Sequence, residues 1–136
     1  MNYLTQKIKK IDLRKYANSR VPTYSCRYYI RLTKKYSLKL YEDKYEAYNI
    51  LQRQTVAHSL DFAPKAINKI YKVSNYYGYI TEHADINCRI SDKDYEKIKN
   101  KISSICWSTY DIDKDHNLGK INNKVVLIDF DRGTLE

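Results

Sequence analysis

The alternation of apolar and polar residues divides the chain into short strands and two helices. In chain order the pattern predicts strands at 26–33 and 36–41, a helix at 42–60, strands at 65–73 and 77–83, a helix from Ser91 to about Trp107, a polar loop at 109–123 and a strand at 124–130. Within YSLKLY (36–41), a period of two puts Leu38 and Leu40 on one face and Lys39 on the other. The sequence therefore predicts a lysine in the middle of a strand, facing away from the leucines.

The two predicted helices carry recognisable starts. The first has acidic residues in its first turn, and its apolar residues recur at near-helical spacing: Ala47, Ile50, Leu51 and Ala57. The second begins at Ser91, whose hydroxyl can cap the backbone amide near Asp94. Residues 1–20 are basic and only weakly periodic, so a strand, a helix and an extended arm all stay open there.

The length and composition of the chain limit the architectures that it can adopt. A chain of 136 residues with 43% apolar and 30% charged residues fits one folded domain with a modest core, and the mixture of strands and helices predicts an α+β fold. Cys26, Cys88 and Cys106 are far apart and lack a CxxC spacing, which predicts free thiols in a reducing cytoplasm. Because the amino-terminal residues are rich in lysine and no long apolar run follows, we expect neither export nor a membrane span.

The chain is strongly basic. Its 25 Lys and Arg against 16 Asp and Glu give a formal charge of +9, which permits attraction to nucleic acid, acidic proteins or nucleotides. Several of these cations lie near the amino terminus: Lys7, Lys9, Lys10, Arg14, Lys15 and Arg20. Together with tyrosines that could stack on bases, they suggest a nucleic-acid-binding segment. A solvated basic segment, or a coding bias toward lysine, explains the same charge.

The polar loop and the strand after it hold the candidate chemistry, and three interpretations compete for this region. In the first, Asp111, Asp113 and Asp115 have the spacing of a calcium loop, although His116 stands where that loop needs glycine. In the second, the acids are solvated and the loop only leads into a buried strand. That interpretation leaves the Asp-Phe-Asp directly after four apolar residues unexplained.

The third interpretation is a phosphoryl-transfer site. Such a site needs oxygen ligands for Mg²⁺, a cation on the nucleotide phosphates and a carboxylate near the acceptor hydroxyl. Asn117 and Asp129 are the candidate metal ligands, and Lys39 is the candidate cation. The candidate catalytic base is Asp111 or Asp113.

The order of these motifs resembles the protein-kinase-like superfamily, especially the small kinase-like proteins of bacteriophages. YSLKLY is similar to the strand that carries the phosphate-binding lysine, YEAYNILQRQTVAHSLDFAPK to helix C, and YGYITEHAD to the strand that enters the hinge. SDKDYEKIKNKISSICWS resembles the first long helix of the carboxy-terminal lobe, and DIDKDHNLGKINNKVVLIDFD resembles the catalytic loop and metal motif. The likeness covers most of residues 26–133.

The resemblance implies a minimal kinase-like fold that uses ATP and Mg²⁺. An antiparallel-sheet amino-terminal lobe with one helix would span about 1–84, and a reduced carboxy-terminal lobe about 85–136. Ser37 would lie beneath the adenine, and backbone groups from Glu82 to Ala84 would bind its edge. Thr81 would lie near the gatekeeper position.

Several positions depart from the family pattern. No glycine-rich loop precedes Lys39. The helix-C glutamate that pairs with the lysine aligns best with Gln52, while Glu46 lies nearer the helix start. Ile112 occupies the usual place of the catalytic aspartate, so the base is Asp111 or Asp113 only if the loop differs by one residue. The sequence also ends soon after the metal motif, without an activation segment.

Two functions from different classes follow. The first is a pseudokinase-type binding or regulatory module that docks on a host or phage macromolecule, with a protein as the expected partner and host takeover or anti-defence as the expected role. The second is an active minimal kinase that phosphorylates a protein or a small molecule. The departures favour the first, and the sequence leaves the enzymatic activity and the oligomeric state open.

Overall fold

The computed structural model describes residues 2–109, 112 and 116–131. Its helices are α1 (Asn2–Lys9), α2 (Lys44–Ser59) and α3 (Asp92–Ser103), and its strands are β1 (Tyr28–Arg31), β2 (Tyr36–Tyr41), β3 (Tyr71–Val73), β4 (Tyr76–Glu82), β5 (Leu118–Ile121) and β6 (Lys124–Leu127). A 3-10 helix, Leu13–Tyr16, follows α1. The predicted α+β class is confirmed. Within the described ranges, no helix is long and apolar enough to cross a membrane.

Four of the strands form one antiparallel sheet, in the order β1-β2-β4-β3. β2 is therefore an interior strand, and Lys39 in its middle lies opposite Tyr29 of β1 and Tyr79 of β4. β5 and β6 form a separate two-stranded hairpin. The hydrogen-bonding edges of β2 are thus both covered, which fixes the position of Lys39 in the sheet.

β2 is buried on both faces. Leu38 and Leu40 belong to an apolar cluster that includes Leu4 and Ile8 of α1. Because side chains alternate along a strand, Lys39 lies on the opposite face, which is covered by α2. The prediction that the lysine faces away from the leucines is therefore confirmed, and the helix is the correct choice for residues 2–9 among the alternatives for the basic amino-terminal segment.

Gly78 allows β4 to lie close to β2. A Cβ atom added to this glycine would lie 1.6 Å from the backbone oxygen of Lys39, far inside any real contact. Glycine is therefore required by the close approach of the two backbones.

Both longer helices begin at a side-chain cap. The carboxylate of Asp43 accepts a hydrogen bond from the backbone N–H of Glu46 at 3.1 Å, at the start of α2. The hydroxyl of Ser91 accepts one from the N–H of Asp94 at 3.2 Å, which is the cap predicted from the sequence. α3 ends at Ser103, before the predicted end, and the chain then turns through a residue with positive φ, Cys106.

The stretch predicted as a polar loop contains a strand. β5 pairs with β6 along its whole length. The turn between them consists of Asn122 and Asn123, whose φ angles are 49° and 66°. Asparagine adopts this left-handed conformation more readily than most residues, and two such residues form a tight hairpin turn. The Asn-Asn pair between two apolar runs is the local signal for this hairpin.

Three strands are shorter than predicted, and one is β1, which spans Tyr28–Arg31 of the predicted 26–33. Only Tyr71–Val73 of the predicted strand 65–73 is regular, although the backbone of Ile67 still bonds Ile80 of β4 at 2.8 Å. β6 ends at Leu127, before the Asp-Phe-Asp motif. One more hydrogen bond continues the hairpin register, from the N–H of Ile128 to the oxygen of Asn117, and the candidate metal ligand Asp129 follows directly.

Candidate functional site

Lys39 is buried beneath α2, with 1% of its surface exposed. Its Nζ donates to Oε1 of Gln54 at 3.2 Å and to the backbone oxygen of Ile128 at 2.9 Å. The ammonium group also lies 5.2 Å from the ring centroid of Phe130, a cation–π distance. Burial lowers the pKa of Lys39 to about 8, although the nearby carboxylate of Asp129 acts in the opposite direction. The chain's own oxygens and rings therefore surround the predicted phosphate-binding cation.

The residue of α2 that contacts Lys39 is Gln54, so the prediction of Gln52 is wrong. Gln54 follows Ile50 by one helical turn and shares its buried face, whereas Gln52 is only partly buried. Glu46, the other candidate, is exposed in the first turn of α2. The rotation of the helix about its axis decides which side chain reaches the strand.

The side-chain amide of Gln54 has a partner at each atom. Its Oε1 also accepts a hydrogen bond from the hydroxyl of Tyr79 at 2.5 Å, and its Nε2 donates to the backbone oxygen of Pro64 at 2.9 Å and to Oγ1 of Thr81 at 2.7 Å. One amide thus joins α2, β2, β4 and the segment after α2. A buried polar network with all its members paired favours a single arrangement of these elements.

The two predicted metal ligands contact each other. Nδ2 of Asn117 donates to Oδ2 of Asp129 at 2.6 Å, and both side chains are buried. The backbone supports this pair, because the N–H of Ile128 donates to the oxygen of Asn117 at 3.0 Å. Since the oxygen of Ile128 accepts from Lys39, one residue links the predicted cation to both predicted ligands. Three residues that are far apart in the sequence are thereby brought together.

The pair is held by N–H donors to the carboxylate of Asp129. A carboxylate and an amide oxygen are suitable ligands, but both carboxylate oxygens of Asp129 accept N–H donors: Nδ2 of Asn117, and the backbone N–H of Asp131 at 2.9 Å. Among the residues with described positions, no three His, Cys, Asp or Glu side chains gather as a metal site. Each carboxylate oxygen has two lone pairs, so a metal at Asp129 would share each oxygen with an N–H donor, and we derive no metal-dependent step from the arrangement.

The backbone groups predicted to bind adenine have partners within the chain, and those of Ala84 bond a side chain of β1. The hydroxyl of Tyr29 accepts from the N–H of Ala84 at 3.0 Å and donates to the oxygen of Ala84 at 3.3 Å. The backbone N–H of Glu82 donates to the oxygen of Lys65 at 2.8 Å. Ala84 itself is fully buried. Its two backbone groups therefore already have the kind of partner that an adenine edge would supply.

Ser37, which is also buried, lies beside the same tyrosine. Its hydroxyl is 2.6 Å from Nδ1 of His83, whose ring stacks on that of Tyr29 with centroids 5.6 Å apart. Partial burial lowers the pKa of His83, and the charge of Arg31 lowers it further. Both effects favour the neutral imidazole of His83. Its Nδ1 can accept from or donate to the hydroxyl of Ser37, depending on the tautomer.

Asp111 and Asp113, the candidate bases, fall outside the described residues, as does Asp115 of the calcium-loop interpretation. Between them, Ile112 is buried, and its backbone oxygen accepts from the hydroxyl of Tyr95 at 2.7 Å. His116 is exposed.

The second aspartate of Asp-Phe-Asp has a role that its sequence context does not reveal. The carboxylate of Asp131 accepts hydrogen bonds from the backbone N–H of Ser25, at 3.1 Å, and from its hydroxyl. Asp129 thus holds Asn117, and Asp131 holds the segment that leads into β1. The motif fastens two distant parts of the chain around the buried ring of Phe130.

Comparisons with protein-family models, with curated proteins and with solved structures found no match for this chain.

Proposed function

We propose that this chain is a kinase-like protein that acts as a binding or regulatory module on a host or phage macromolecule, rather than as a phosphotransferase. The observation that carries the proposal is the closure of the candidate nucleotide site by the chain's own groups. Lys39, the carboxylate of Asp129 and the backbone of Ala84 each have a protein partner.

The kinase-like part of the proposal is supported by which residues meet. In kinases a strand lysine, a catalytic-loop asparagine and a metal-binding aspartate act together on the nucleotide phosphates. The residues here that resemble them are Lys39, Asn117 and Asp129, and the backbone of Ile128 joins them. A chance arrangement of one buried lysine would not require that particular pair beside it.

The binding part of the proposal is supported by burial. Transferring a phosphoryl group needs a cation that can reach the phosphates and backbone groups that can hold the base. Lys39 is 1% exposed, and Tyr29 already bonds both backbone groups of Ala84. The helix partner, Gln54, is neutral, whereas kinases use a glutamate, so the ion pair of an active site is absent from this contact.

A thermal-shift titration with ATP and Mg²⁺ tests this proposal. A ligand that binds only the folded state at about 100 times its Kd stabilises it by about 2.7 kcal/mol, which is a shift of several degrees for a domain of this size. We expect no Mg²⁺-dependent shift at millimolar ATP. Asp129→Asn tests the candidate ligand, and Asp131→Asn, which removes the neighbouring carboxylate, is the matched control.

A Mg²⁺-dependent stabilisation that Asp129→Asn abolishes and Asp131→Asn retains would overturn the proposal. It would support the second candidate function, an ATP-dependent kinase. The contact between Asn117 and Asp129, 2.6 Å apart and beside the buried lysine, is the observation that favours that alternative. In that case a search for transfer of labelled phosphate to protein and small-molecule acceptors would follow.

A further inference from the structure

Two basic hollows in the surface share Arg31, the last residue of the edge strand β1. The first has a volume of about 230 Å³. It lies between α1, the 3-10 helix and β1, and its cations besides Arg31 are Lys7, Lys10 and Lys15. Tyr16 also lines it.

The second hollow also contains Arg31, and it adds further cations to those of the first. It has a volume of about 370 Å³, and its cations besides Arg31 are Lys34, Lys35 and Lys120. Arg31 is held in place between the hollows, because its guanidinium donates to the backbone oxygens of Thr33 and Lys34 at 3.1 and 3.0 Å. The β1-β2 turn thus adds a second group of cations to those of the amino-terminal segment.

Among the described residues, three carboxylates line the hollows, and only that of Asp12 pairs with a cation that lies outside them. Both oxygens of Asp12 accept from the guanidinium of Arg14, at 3.0 and 2.9 Å. One oxygen of Glu82 accepts from the backbone of Lys65, and one of Asp85 from the backbone of Asn87. Because a backbone N–H does not neutralise a carboxylate, the described lining of the second hollow has four cations against two carboxylates, and that of the first has four cations against the paired Asp12. Both hollows therefore carry a net positive charge, which attracts anions.

We propose that this basic strip binds the phosphate backbone of a nucleic acid. Its cations are Lys7, Lys10, Lys15, Arg31, Lys34, Lys35 and Lys120. The inference rests on the proposed function, because it names the class of macromolecule on which the binding module acts. Of the amino-terminal cations, the strip includes only Lys7, Lys10 and Lys15, because Lys9, Arg14 and Arg20 line neither hollow.

The character of the lining favours nucleic acid over an acidic protein. Protein partners bind tightly through large apolar or aromatic anchors at the centre of an interface. The exposed large apolar side chains of the described residues are Tyr3, Tyr24, Tyr45, Tyr48, Val56 and Leu60, and none of them lines either hollow. The apolar residues that do line the hollows are buried or half-buried: Ile11, Tyr16, Ile30, Leu32 and Ile121. A series of lysines with no exposed apolar anchor suits a polymer that carries one charge on each unit.

Fluorescence anisotropy with labelled oligonucleotides tests the strip. The probes are single-stranded DNA, duplex DNA and RNA of about 20 nucleotides, titrated at several salt concentrations between about 50 and 200 mM. All three carry phosphodiester groups, and the tightest binder identifies the form. We expect binding that weakens steeply with salt.

A charge reversal in each hollow provides the decisive variant. Lys10→Glu combined with Lys34→Glu should weaken binding by at least about tenfold and reduce the slope against salt. Both lysines are exposed. The matched control is Lys44→Glu with Lys93→Glu, an equal change in net charge at exposed positions outside both hollows, and it should change the affinity less than about threefold.

Three results would overturn the inference: no salt-dependent binding of any probe, an equal loss in both double variants, or tighter binding of poly-glutamate than of every oligonucleotide. Circular dichroism confirms that each variant is folded before it is scored. The outcome is separable from the test with ATP. Stabilisation by ATP and Mg²⁺ would contradict the proposed function, whether or not the oligonucleotides bind. Absence of oligonucleotide binding alone would contradict only the inference that the strip binds nucleic acid.

Discussion

On the α1 side of the sheet, Leu38 and Leu40 are held by contacts with other apolar side chains. On the α2 side, Lys39 is held by hydrogen bonds to Gln54 and Ile128. The apolar face depends on volume and shape, so its losses are graded with the atoms removed. The polar face depends on pairing, and removing one member leaves its buried partners unsatisfied. The same strand therefore has one face that stabilises by packing and another that fixes a unique arrangement.

The largest expected effect comes from a substitution that disturbs both faces together. In Gly78→Ala the new methyl group would collide with the backbone of Lys39, so β4 has to move away from β2. We expect the free energy of unfolding, measured by urea denaturation, to fall by at least about 3 kcal/mol. Gly119→Ala is the control, with a closest contact of 2.8 Å to Asp85, and it should cost less. A loss of under about 1 kcal/mol in Gly78→Ala would contradict the register described for β2 and β4.

Gln54→Ala should cost about 3 kcal/mol, because it leaves Lys39 and the hydroxyl of Tyr79 without their shared acceptor. Gln52→Ala, on the same helix and at a position that is only partly buried, should stay within about 0.5 kcal/mol of the natural chain. Equal losses of unfolding free energy in the two variants would contradict the central position of Gln54 in the hydrogen-bond network. Chemical denaturation of both proteins under one buffer condition gives the comparison.

The buried charge makes stability depend on pH. Below about pH 8 both the folded and the unfolded chain protonate Lys39, whose folded pKa is about 8. Above that value, and below the ordinary pKa of lysine, only the unfolded chain keeps the proton, so this residue makes stability rise with pH by up to about 1.4 kcal/mol per unit. Cys26 acts in the opposite direction at higher pH, because burial raises its pKa to about 12.

Lys39→Met isolates the contribution of the lysine, because this variant keeps Cys26 and removes only the buried ammonium. The difference in unfolding free energy between the natural chain and the variant should change between about pH 8 and pH 9, in favour of the natural chain as pH rises. A difference that stays constant over this range would show that Lys39 is not charged and desolvated as described.

The smallest expected effects distinguish two neighbouring tyrosines on the polar face. The rings of Tyr41 and Tyr79 stack with centroids 6.4 Å apart, and both are fully buried. Tyr79→Phe removes a hydroxyl that bonds Gln54 and should cost about 1 kcal/mol. Tyr41→Phe removes a buried hydroxyl that has no hydrogen-bond partner among the described residues, and should be neutral or slightly stabilising. Thermal unfolding of the two single variants measures this difference in stability. A larger loss of stability in Tyr41→Phe than in Tyr79→Phe would contradict the prediction.

The contrast between the faces also explains what the sequence could predict. Alternation along YSLKLY is enough to place Lys39 opposite the leucines, and the Ser91 cap follows from local chemistry. Asn117 and Asp129 are the candidate metal ligands of the phosphoryl-transfer interpretation, and the structure brings their side chains into contact. Their identity as metal ligands stays a prediction.

The partners across the sheet could not be predicted in the same way. Gln54 is selected by how α2 rotates on β2, and Tyr29 reaches Ala84 only because β1 lies at the edge of the sheet beside β2. Both depend on packing between elements, which a periodic pattern does not specify. The Asn122-Asn123 turn differs from these, because its signal is local and present in the sequence.

The most direct test of a closed polar face is an NMR titration with ATP and Mg²⁺ that follows two ¹H–¹⁵N signals. One is the backbone amide of Ala84, which bonds Tyr29, and the other is the side-chain amide of Gln54, which bonds Pro64 and Thr81. If the chain's own groups close the site, neither signal will move at millimolar nucleotide. Saturable, Mg²⁺-dependent shifts at both positions would contradict the account and identify a nucleotide site.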